Sequence, residues 1–277
     1  MQAKVWEVET GQEFASFSHS GSVRSCQFDE SGRRVLTACD AFGSPEQDRP
    51  PKVTIWEQDP MWGEDLRKWR RAAEFLLPHP ENGDVRCQLV RWMPLGKAIL
   101  CAFEDGDLKI MDALTFELRH QIHAHDSKVS CVAWNDPFKT FLLTASSDHT
   151  AKLWDVATWD CIKIYRSDRP LNACCFSPTK EHVLLGGGQD AMSVTTTSSR
   201  GARFETQFYH LIYEEEFGRV KGHFGPINAL AIAPDGKSFC SGAEDGYIRL
   251  HHFDQDYIHM PDPVPEDGDN NNNNNNE

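Results

Sequence analysis

The stretch Asp148-His149-Thr150-Ala151-Lys152-Leu153-Trp154-Asp155 closes a short β-like run near the middle of the chain. Variants of this stretch recur at intervals of 42 to 55 residues, and six copies can be aligned on the tryptophan position. A period of this size is typical of one supersecondary unit that is stacked on copies of itself. The other five copies lie at residues 4–7, 53–57, 105–112, 190–195 and 245–251.

Two further β-like runs precede the turn aspartate in most units. In the last unit, residues 227–232 alternate apolar with small or polar side chains, residues 234–237 carry a turn signal, and residues 238–242 form the next run. Short runs joined by tight turns predict an antiparallel meander. Because the meanders are evenly spaced, we predict an all-β fold, a β-propeller with five full blades and part of a sixth at residues 1–260.

A histidine precedes several meanders at a similar distance. The pairs are His125 and Asp148, His223 and Asp245, and His19 and Asp40, at spacings of 23, 22 and 21 residues. A buried network of histidine, aspartate, hydroxyl and indole groups stabilises a fold when every member has a hydrogen-bond partner. We therefore expect structural rather than catalytic tetrads, formed by His125, Thr144, Asp148 and Trp154 in one unit and by His223, Ser241 and Asp245 in another.

The composition excludes several classes of function. A net charge of −14 over 277 residues argues against a protein that binds nucleic acid by itself, because phosphate contacts require clustered Lys and Arg. Nine cysteines without a C-x-x-C pair indicate reduced thiols in the cytoplasm rather than disulfides or a zinc site. No apolar run is long enough to predict a membrane span. Residues 261–277, with their acidic residues and seven consecutive asparagines, are predicted to be a disordered tail.

Sequence motifs of catalytic sites have simpler structural interpretations in this chain. The stretch Gly236-Lys237-Ser238 ends like a phosphate-binding loop, but it connects two β-like runs and is better interpreted as a hairpin turn. No G-x-S-x-G motif occurs, and recurring His, Ser and Asp residues are better explained by tetrads than by several active sites. We therefore predict neither enzyme activity nor a cofactor.

The basic cluster at residues 67–71 leaves three alternatives open. It contacts RNA or an acidic partner, with Trp69 available for stacking, or it is a solvated loop followed by an outer strand. A short amphipathic helix over residues 64–76 is the third alternative, because its apolar residues fall roughly on one face.

The segment at residues 200–218 is longer than a normal connection between units, and its aromatic residues alternate with polar ones. One interpretation is a half-buried outer strand pair. The other is an extended aromatic edge with an acidic end, which docks a helix or strand of a partner. On the second interpretation, the partner-binding residues are Phe204, Phe208, Tyr209, Tyr213, Glu214 and Glu215.

The recurring histidine, aspartate and Trp-Asp positions resemble the WD-repeat family. Within it, the strings GGGQDAMSVTTT at residues 186–197 and EEEFGRVKGHFGPIN at residues 214–228 resemble the i subunits of eukaryotic translation initiation factor 3. The resemblance implies a non-catalytic scaffold without a cofactor, which supports assembly of the 43S pre-initiation complex and mRNA recruitment to the 40S ribosome. It also implies other subunits of the factor as partners, namely the b subunit, through its C-terminal region, and the g subunit, with an indirect link to the 40S ribosome.

The family resemblance also implies a seven-bladed ring. Since the repeats visible in this chain are fewer, we expect the first blade and most of the second to be absent, and the ring to be open. An open ring leaves strand edges that can pair with other strands. The alternative function, which is linked with the same family, is a cytoplasmic signalling adaptor that binds a receptor kinase.

Overall fold

The computed structural model describes residues 1–40, 51–58, 68–77, 85–135, 139–188 and 204–261, and its regular structure is almost all β-strand. These residues form six sheets, which we number 1 to 6 along the chain. Every strand pair is antiparallel, and the strands of each sheet follow one another in chain order. This is the meander that the sequence predicts.

The first three sheets contain ten strands. Sheet 1 comprises β1 (Gln2–Trp6) and β2 (Glu13–Ser18). Sheet 2 comprises β3 (Val23–Phe28), β4 (Arg34–Cys39), β5 (Lys52–Gln58) and β6 (Trp69–Leu76). Sheet 3 comprises β7 (Cys87–Trp92), β8 (Ala98–Phe103), β9 (Asp107–Asp112) and β10 (Leu118–His123), with a 3₁₀ turn at Pro94–Gly96.

The last three sheets contain eleven strands. Sheet 4 comprises β11 (Val129–Trp134), β12 (Phe141–Ser146), β13 (Thr150–Asp155) and β14 (Cys161–Arg166). Sheet 5 comprises β15 (Leu171–Phe176), β16 (His182–Gly187), β17 (Glu205–His210) and β18 (Glu216–Lys221). Sheet 6 comprises β19 (Ile227–Ile232), β20 (Ser238–Ala243) and β21 (Ile248–His252), and the helix α1 (Gln255–Ile258) follows.

The core lies between successive sheets. All six residues of β8 are buried, as are all six of β16, because a neighbouring sheet covers each face of these strands. Continuous apolar runs of this kind are typical of strands that are covered on both faces. One apolar cluster fills each space between neighbours from sheet 2 to sheet 6, and examples are Leu36 with Ile99, Leu108 with Trp154, Leu143 with Leu185, and Leu184 with Phe239.

The sheets are arranged radially. The first strands β3, β7, β11, β15 and β19 pack against one another in chain order, and a cavity lies at their meeting point. Each of these strands has a register shift after its first residue, which shows that the repeat is regular in geometry as well as in sequence. The architecture is that of a WD-repeat β-propeller. The number of blades in the ring stays a prediction.

The turns between the second and third strands link neighbouring sheets. Gly106 lies in the β8–β9 turn with φ of +89°, a left-handed conformation that favours glycine. Its carbonyl oxygen accepts hydrogen bonds from the backbone N–H groups of Ala124 and His125, which lie in the loop before the next sheet. The equivalent carbonyl of His149, with φ of 71°, accepts a hydrogen bond from the N–H of Ser167. The turn of one sheet therefore holds the start of the next.

Two details of the predicted architecture need comment. The amphipathic helix proposed for residues 64–76 is wrong from Trp69 onward, because Trp69–Leu76 is the strand β6 and pairs along its whole length with β5. Helical spacing of four apolar residues did not prevail over pairing with a neighbouring strand. The repeat copy at residues 4–7 lies in β1 and the residue after it, and the predicted tail at residues 261–277 lies outside the described residues except for Pro261.

Candidate functional site

The polar network of sheet 4 connects two strands, a turn and the loop that precedes the sheet. In that loop, His125 places its Nδ1 atom 2.8 Å from Oδ2 of Asp148, which lies in the β12–β13 turn. The Nε2 atom of His125 lies 2.7 Å from the hydroxyl oxygen of Thr144 on β12. That oxygen accepts a hydrogen bond of 3.0 Å from Nε1 of Trp154 on β13. The structure thus brings all four predicted side chains together.

Burial sets the charge state of this network. Burial lowers the pKa of His125 below 6.5, and the Asp148 carboxylate opposes this shift without reversing it. Burial raises the pKa of Asp148, but hydrogen bonds from Thr150 and the charge of His125 outweigh that effect and hold it below 3.8. His125 is only 1% exposed, so no substrate can reach it. A satisfied and inaccessible histidine favours a structural role over a catalytic one.

Sheet 6 carries a related network with a different last member. Nδ1 of His223 lies 3.0 Å from Oδ2 of Asp245, and its Nε2 lies 2.8 Å from the hydroxyl oxygen of Ser241. His251 occupies the tryptophan position, and its Nε2 lies 3.4 Å from the same hydroxyl. The backbone N–H of Phe224 is the main reason that the pKa of Asp245 falls to about 2.

Two other units depart from the pattern. Asp40 accepts a hydrogen bond of 2.6 Å from Nε of Arg24, and among the described residues no such bond joins it to His19. In sheet 5, Ser167 stands at the histidine position and donates to Oε1 of Gln207 at 2.8 Å. The network therefore varies between sheets, which is what a structural element in a repeat tolerates and an active site does not.

The central cavity offers polar but mutually bonded groups. It has a volume of about 570 Å³ and is lined mainly by amide and hydroxyl side chains at the start of the first strands. Nδ2 of Asn172 donates to Oδ1 of Asn228 at 2.9 Å, and Nδ2 of Asn228 donates to Oε1 of Glu244 at 3.2 Å. Over the part of the chain that the structure describes, no group of three or more His, Cys, Asp and Glu side chains is placed to hold a metal ion.

Two arginines of the basic cluster pair with carboxylates. Nη2 of Arg70 lies 3.1 Å from Oε2 of Glu57, and Nη1 of Arg71 lies 2.7 Å from Oε2 of Glu74. Trp69 is half-buried, and its ring packs edge-on against Phe17. Among the three alternatives for this cluster, the outer strand fits the described part, which begins at residue 68.

The predicted partner-binding residues divide into two groups. Phe208 and Tyr209 lie on β17 and are 4% and 3% exposed, so they belong to the core. The Tyr209 hydroxyl donates to the backbone oxygen of Arg166, which ties sheet 5 to the last strand of sheet 4. Phe204 is half-buried just before β17. These three aromatic rings are not presented to a partner as they stand.

The remaining three residues lie at the surface, in and beside the turn between β17 and β18. Tyr213 is 38% exposed, and the neighbouring Ile212 is 46% exposed, next to the exposed Glu214 and Glu215. Across the gap between sheets, Nζ of Lys163 on β14 lies 3.2 Å from Oε1 of Glu214. We name this region the exposed hairpin surface, and it comprises Ile212, Tyr213, Glu214 and Glu215.

Ile212 and the ion pair between Lys163 and Glu214 were not identified from the sequence. Lys163 lies on β14 of sheet 4, so its contact with the β17–β18 turn depends on packing between two sheets. No signal within the sequence stretch at 200–218 indicates that contact.

Comparison with known proteins gives a consistent result. The EIF3I family model matches residues 1–261. The silkworm (Bombyx mori) protein "Eukaryotic translation initiation factor 3 subunit I" is 41% identical over 261 residues, which cover 92% of this chain and 74% of the relative. The human protein of the same name is 39% identical over 256 residues, which cover 92% of this chain and 75% of the relative.

Proposed function

The chain belongs to the family of subunit I of eukaryotic translation initiation factor 3, and on that premise we propose that it is a non-catalytic scaffold subunit of this factor. The observation that carries the proposal is the family match over residues 1–261. The radial sheets support it, because rigid sheets hold loops and strand edges in fixed positions for binding. The signalling-adaptor alternative receives no support from these relatives.

The proposed partners are the b subunit, through its C-terminal region, and the g subunit, with an indirect link to the 40S ribosome in the cytoplasm. Membership of a multi-subunit factor fits a chain whose buried His125 is bonded within the fold and whose Arg70 and Arg71 pair with its own carboxylates. The described residues include no helix of the length and apolarity that a membrane span requires.

The exposed hairpin surface is the proposed site for one of these partners. Apolar side chains of Ile212 and Tyr213 lie beside the carboxylates of Glu214 and Glu215, so the surface suits a partner segment with apolar anchors and Lys or Arg at its rim. Glu214 already pairs with Lys163, which leaves Glu215 as the better match for a cation of the partner.

Affinity purification from cell extract tests both parts of the proposal. The tagged chain is expected to retain other subunits of the factor and 40S ribosomal RNA. The double variant Tyr213→Ala with Glu215→Lys is expected to retain at least about tenfold less of one subunit, since aromatic anchors and rim charges together contribute more than about 1.4 kcal/mol.

A matched control comes from the corresponding hairpin of sheet 3. Leu114 and Glu117 are also exposed beside a turn between the third and fourth strands, and Leu114→Ala with Glu117→Lys is expected to bind like the unaltered chain. If the unaltered chain retains no subunit of the factor, the scaffold proposal is wrong. If both double variants bind equally, only the placement of the docking site is wrong.

A further inference from the structure

Two cysteine thiols face each other between sheets 4 and 5, and all nine cysteines of the chain are free thiols. Cys131 is the third residue of β11, and its thiol donates a hydrogen bond of 3.7 Å to the backbone oxygen of Cys174, the fourth residue of β15. The Cys174 thiol points back toward sheet 4 and donates to the backbone oxygen of Leu143 at 3.7 Å. Both sulfur atoms therefore lie in the space between these two sheets.

The repeat explains why these two positions meet. On β3, the third residue is Ser25, whose hydroxyl donates to the backbone oxygen of Val90, the fourth residue of β7, at 3.2 Å. This is the same contact between successive first strands that Cys131 makes with Cys174. At the other pairs of successive first strands, the two positions hold Leu89 with Val132 and Ala173 with Leu230. Along the described first strands, the repeat thus places two thiols together between sheets 4 and 5.

The two thiols differ in their access to solvent. Cys131 is half-buried, whereas Cys174 is only 3% exposed. A small oxidant therefore reaches Cys131 first, and Cys174 is placed to react second. Redox-responsive cysteines combine partial exposure, surroundings that stabilise the thiolate and a second thiol close by.

The surroundings favour the thiolate of Cys131. Contact with the Cys174 thiol is the main reason that the pKa of Cys131 is lowered, although burial opposes this shift. The positive charge of Arg91 also lowers the pKa of Cys131, and Nη1 of Arg91 is held by a hydrogen bond of 3.0 Å to the hydroxyl oxygen of Ser25. Burial, together with Cys131, raises the pKa of Cys174. Of the two thiols, Cys131 is therefore the one that loses its proton first.

We propose that Cys131 and Cys174 form a peroxide-responsive disulfide that links sheets 4 and 5. The Cys131 thiolate attacks one oxygen of hydrogen peroxide, the O–O bond breaks, and the released hydroxide takes up the proton that Cys131 has lost. The sulfur of Cys174 then attacks the sulfenic acid of Cys131, and the hydroxyl group leaves with the Cys174 proton as water. Two thiols are thus oxidised to one disulfide, and one peroxide molecule is reduced to two molecules of water.

The bond would connect residues that are 43 positions apart in the chain. Sheets 4 and 5 already share an apolar cluster that includes Leu143 and Leu185, so the bond would add a covalent link to an existing contact. A disulfide stabilises a folded chain mainly by restricting the unfolded one. We therefore expect the oxidised chain to resist urea better than the reduced chain. This site lies apart from the exposed hairpin surface, and its test requires no other subunit.

Peroxide treatment of the reduced full chain tests the proposal. After the peroxide is removed and free thiols are alkylated, the intact mass is expected to show two alkylated thiols fewer than in the untreated chain. Trypsin is expected to release a linked pair of peptides, residues 129–139 and 167–180, which dithiothreitol separates. The urea midpoint is expected to rise by about 1 M and to return after reduction.

Cysteine variants assign the bond, because the peptide at residues 167–180 contains both Cys174 and Cys175. Cys174→Ser and Cys174→Ala are each expected to abolish the linked pair and to leave Cys131 as a sulfenic acid, which dimedone labels. Cys175→Ser is expected to form the bond as the unaltered chain does. Peptide mapping of the unaltered chain keeps the test valid where a Cys174 variant is less stable.

Sheet 3 provides a matched control within the same chain. The thiols of Cys87 and Cys101 also contact each other, but these residues are 3% and 0% exposed. Because neither thiol of that pair is accessible, both are expected to stay reduced under the conditions that link Cys131 to Cys174.

Three results would overturn the proposal. The first is complete alkylation of Cys131 and Cys174 after peroxide treatment. The second is a linked peptide pair that persists in both Cys174 variants, because that result assigns the bond to Cys175. The third is oxidation of Cys87 and Cys101 to the same extent, because that result means that peroxide oxidises buried thiols without regard to their position.

Discussion

Sheets 4 and 6 share the same first three strands and a similar polar network, but their surroundings differ. Sheet 4 has a fourth strand and a sheet on either side, and its residues contribute to two apolar clusters. Within the described part of the chain, sheet 6 has three strands, and Ile227 and Phe239 are the buried residues among its apolar strand residues. The comparison shows that a unit of this fold acquires its core from its neighbours, as nearest-neighbour models of repeat proteins require.

The polar networks of the two sheets also differ in burial and in hydrogen-bond length. In sheet 4, the hydroxyl of Thr144 serves both His125 and Trp154, and the three side chains are at most 5% exposed. In sheet 6, His251 replaces the tryptophan, and its distance of 3.4 Å to Ser241 is longer than the corresponding 3.0 Å in sheet 4. Since the two networks differ in their hydroxyl residue and in their last member, we expect them to stabilise the two sheets to different extents.

The largest expected difference in stability is between alanine substitutions at two turn glycines, Gly106 before sheet 4 and Gly246 in sheet 6. A Cβ atom at Gly106 would lie 1.8 Å from the backbone oxygen of His125, whereas a Cβ atom at Gly246 would meet nothing within 4 Å. Both glycines have positive φ, so both substitutions carry the cost of a left-handed alanine. We expect Gly106→Ala to lower the free energy of unfolding by about 3–4 kcal/mol and Gly246→Ala by about 1–2 kcal/mol.

Urea denaturation followed by circular dichroism measures both values. The pair is its own control, because both residues follow a turn aspartate and differ in the loop that packs on them. Equal losses for the two variants would mean that the contact between the Gly106 turn and the next sheet does not stabilise the chain.

The second comparison concerns the hydroxyl groups of the two networks. Thr144→Val keeps the shape of the side chain but leaves Nε2 of His125 and Nε1 of Trp154 without partners in a buried site. We expect a loss of about 2–3 kcal/mol, because buried polar groups without partners retain their desolvation cost. Ser241→Ala removes the partner of His223 in a sheet with fewer buried side chains, and we expect a loss of about 1 kcal/mol.

The same denaturation experiment measures these variants. The substitution Thr144→Ser provides a control, because it retains the hydroxyl and removes only a methyl group. A loss for Thr144→Ser as large as that for Thr144→Val would show that packing, and not the hydrogen bonds, accounts for the effect.

Features that are set within one sheet can be predicted from the sequence, whereas features that depend on a neighbouring sheet cannot. The repeat, the turn aspartates and the position of His125 relative to Asp148 follow from fixed offsets within one unit, and local offsets are visible in sequence. The burial of Tyr209 is not visible, because its hydroxyl bonds to Arg166 in the preceding sheet and its ring meets Tyr165 there. Contacts between sheets join distant parts of the chain, and alternation within one strand does not report them.

The site predictions show the same limit. The aromatic alternation at residues 204–213 is equally compatible with a covered strand and with an exposed edge, and the neighbouring sheet decides that Phe208 faces the core. Lys163 joins the hairpin surface through its ion pair with Glu214, a contact between sheets. The helical spacing of apolar residues at 64–76 led to a wrong helix prediction for a related reason, because pairing with β5 determines the strand Trp69–Leu76.

The smallest expected effect is the contribution of the two networks to the pH dependence of folding stability. The pKa of His125 in the folded chain is below 6.5, mainly because of burial, although Asp148 opposes the shift and Asp126 adds to that opposition. The unfolded chain therefore binds a proton first as the pH falls, so the stability that is present above about pH 6.5 decreases below it. One such histidine contributes a slope of at most about 1.4 kcal/mol per pH unit.

Replacing each network histidine in turn tests this assignment. The pKa of His251 is also lowered, by its partial burial and by the charges of His223 and Arg249, so sheet 6 contributes in the same direction. Since His251 lies in the sheet with less core, we expect His125→Gln to flatten the decrease between about pH 7 and about pH 5.5 more than His251→Gln does. Denaturation at several pH values measures these slopes. An equal flattening by His125→Gln and His251→Gln would show that the greater burial in sheet 4 does not govern the titration, and the contrast between the two sheets would then rest on packing alone.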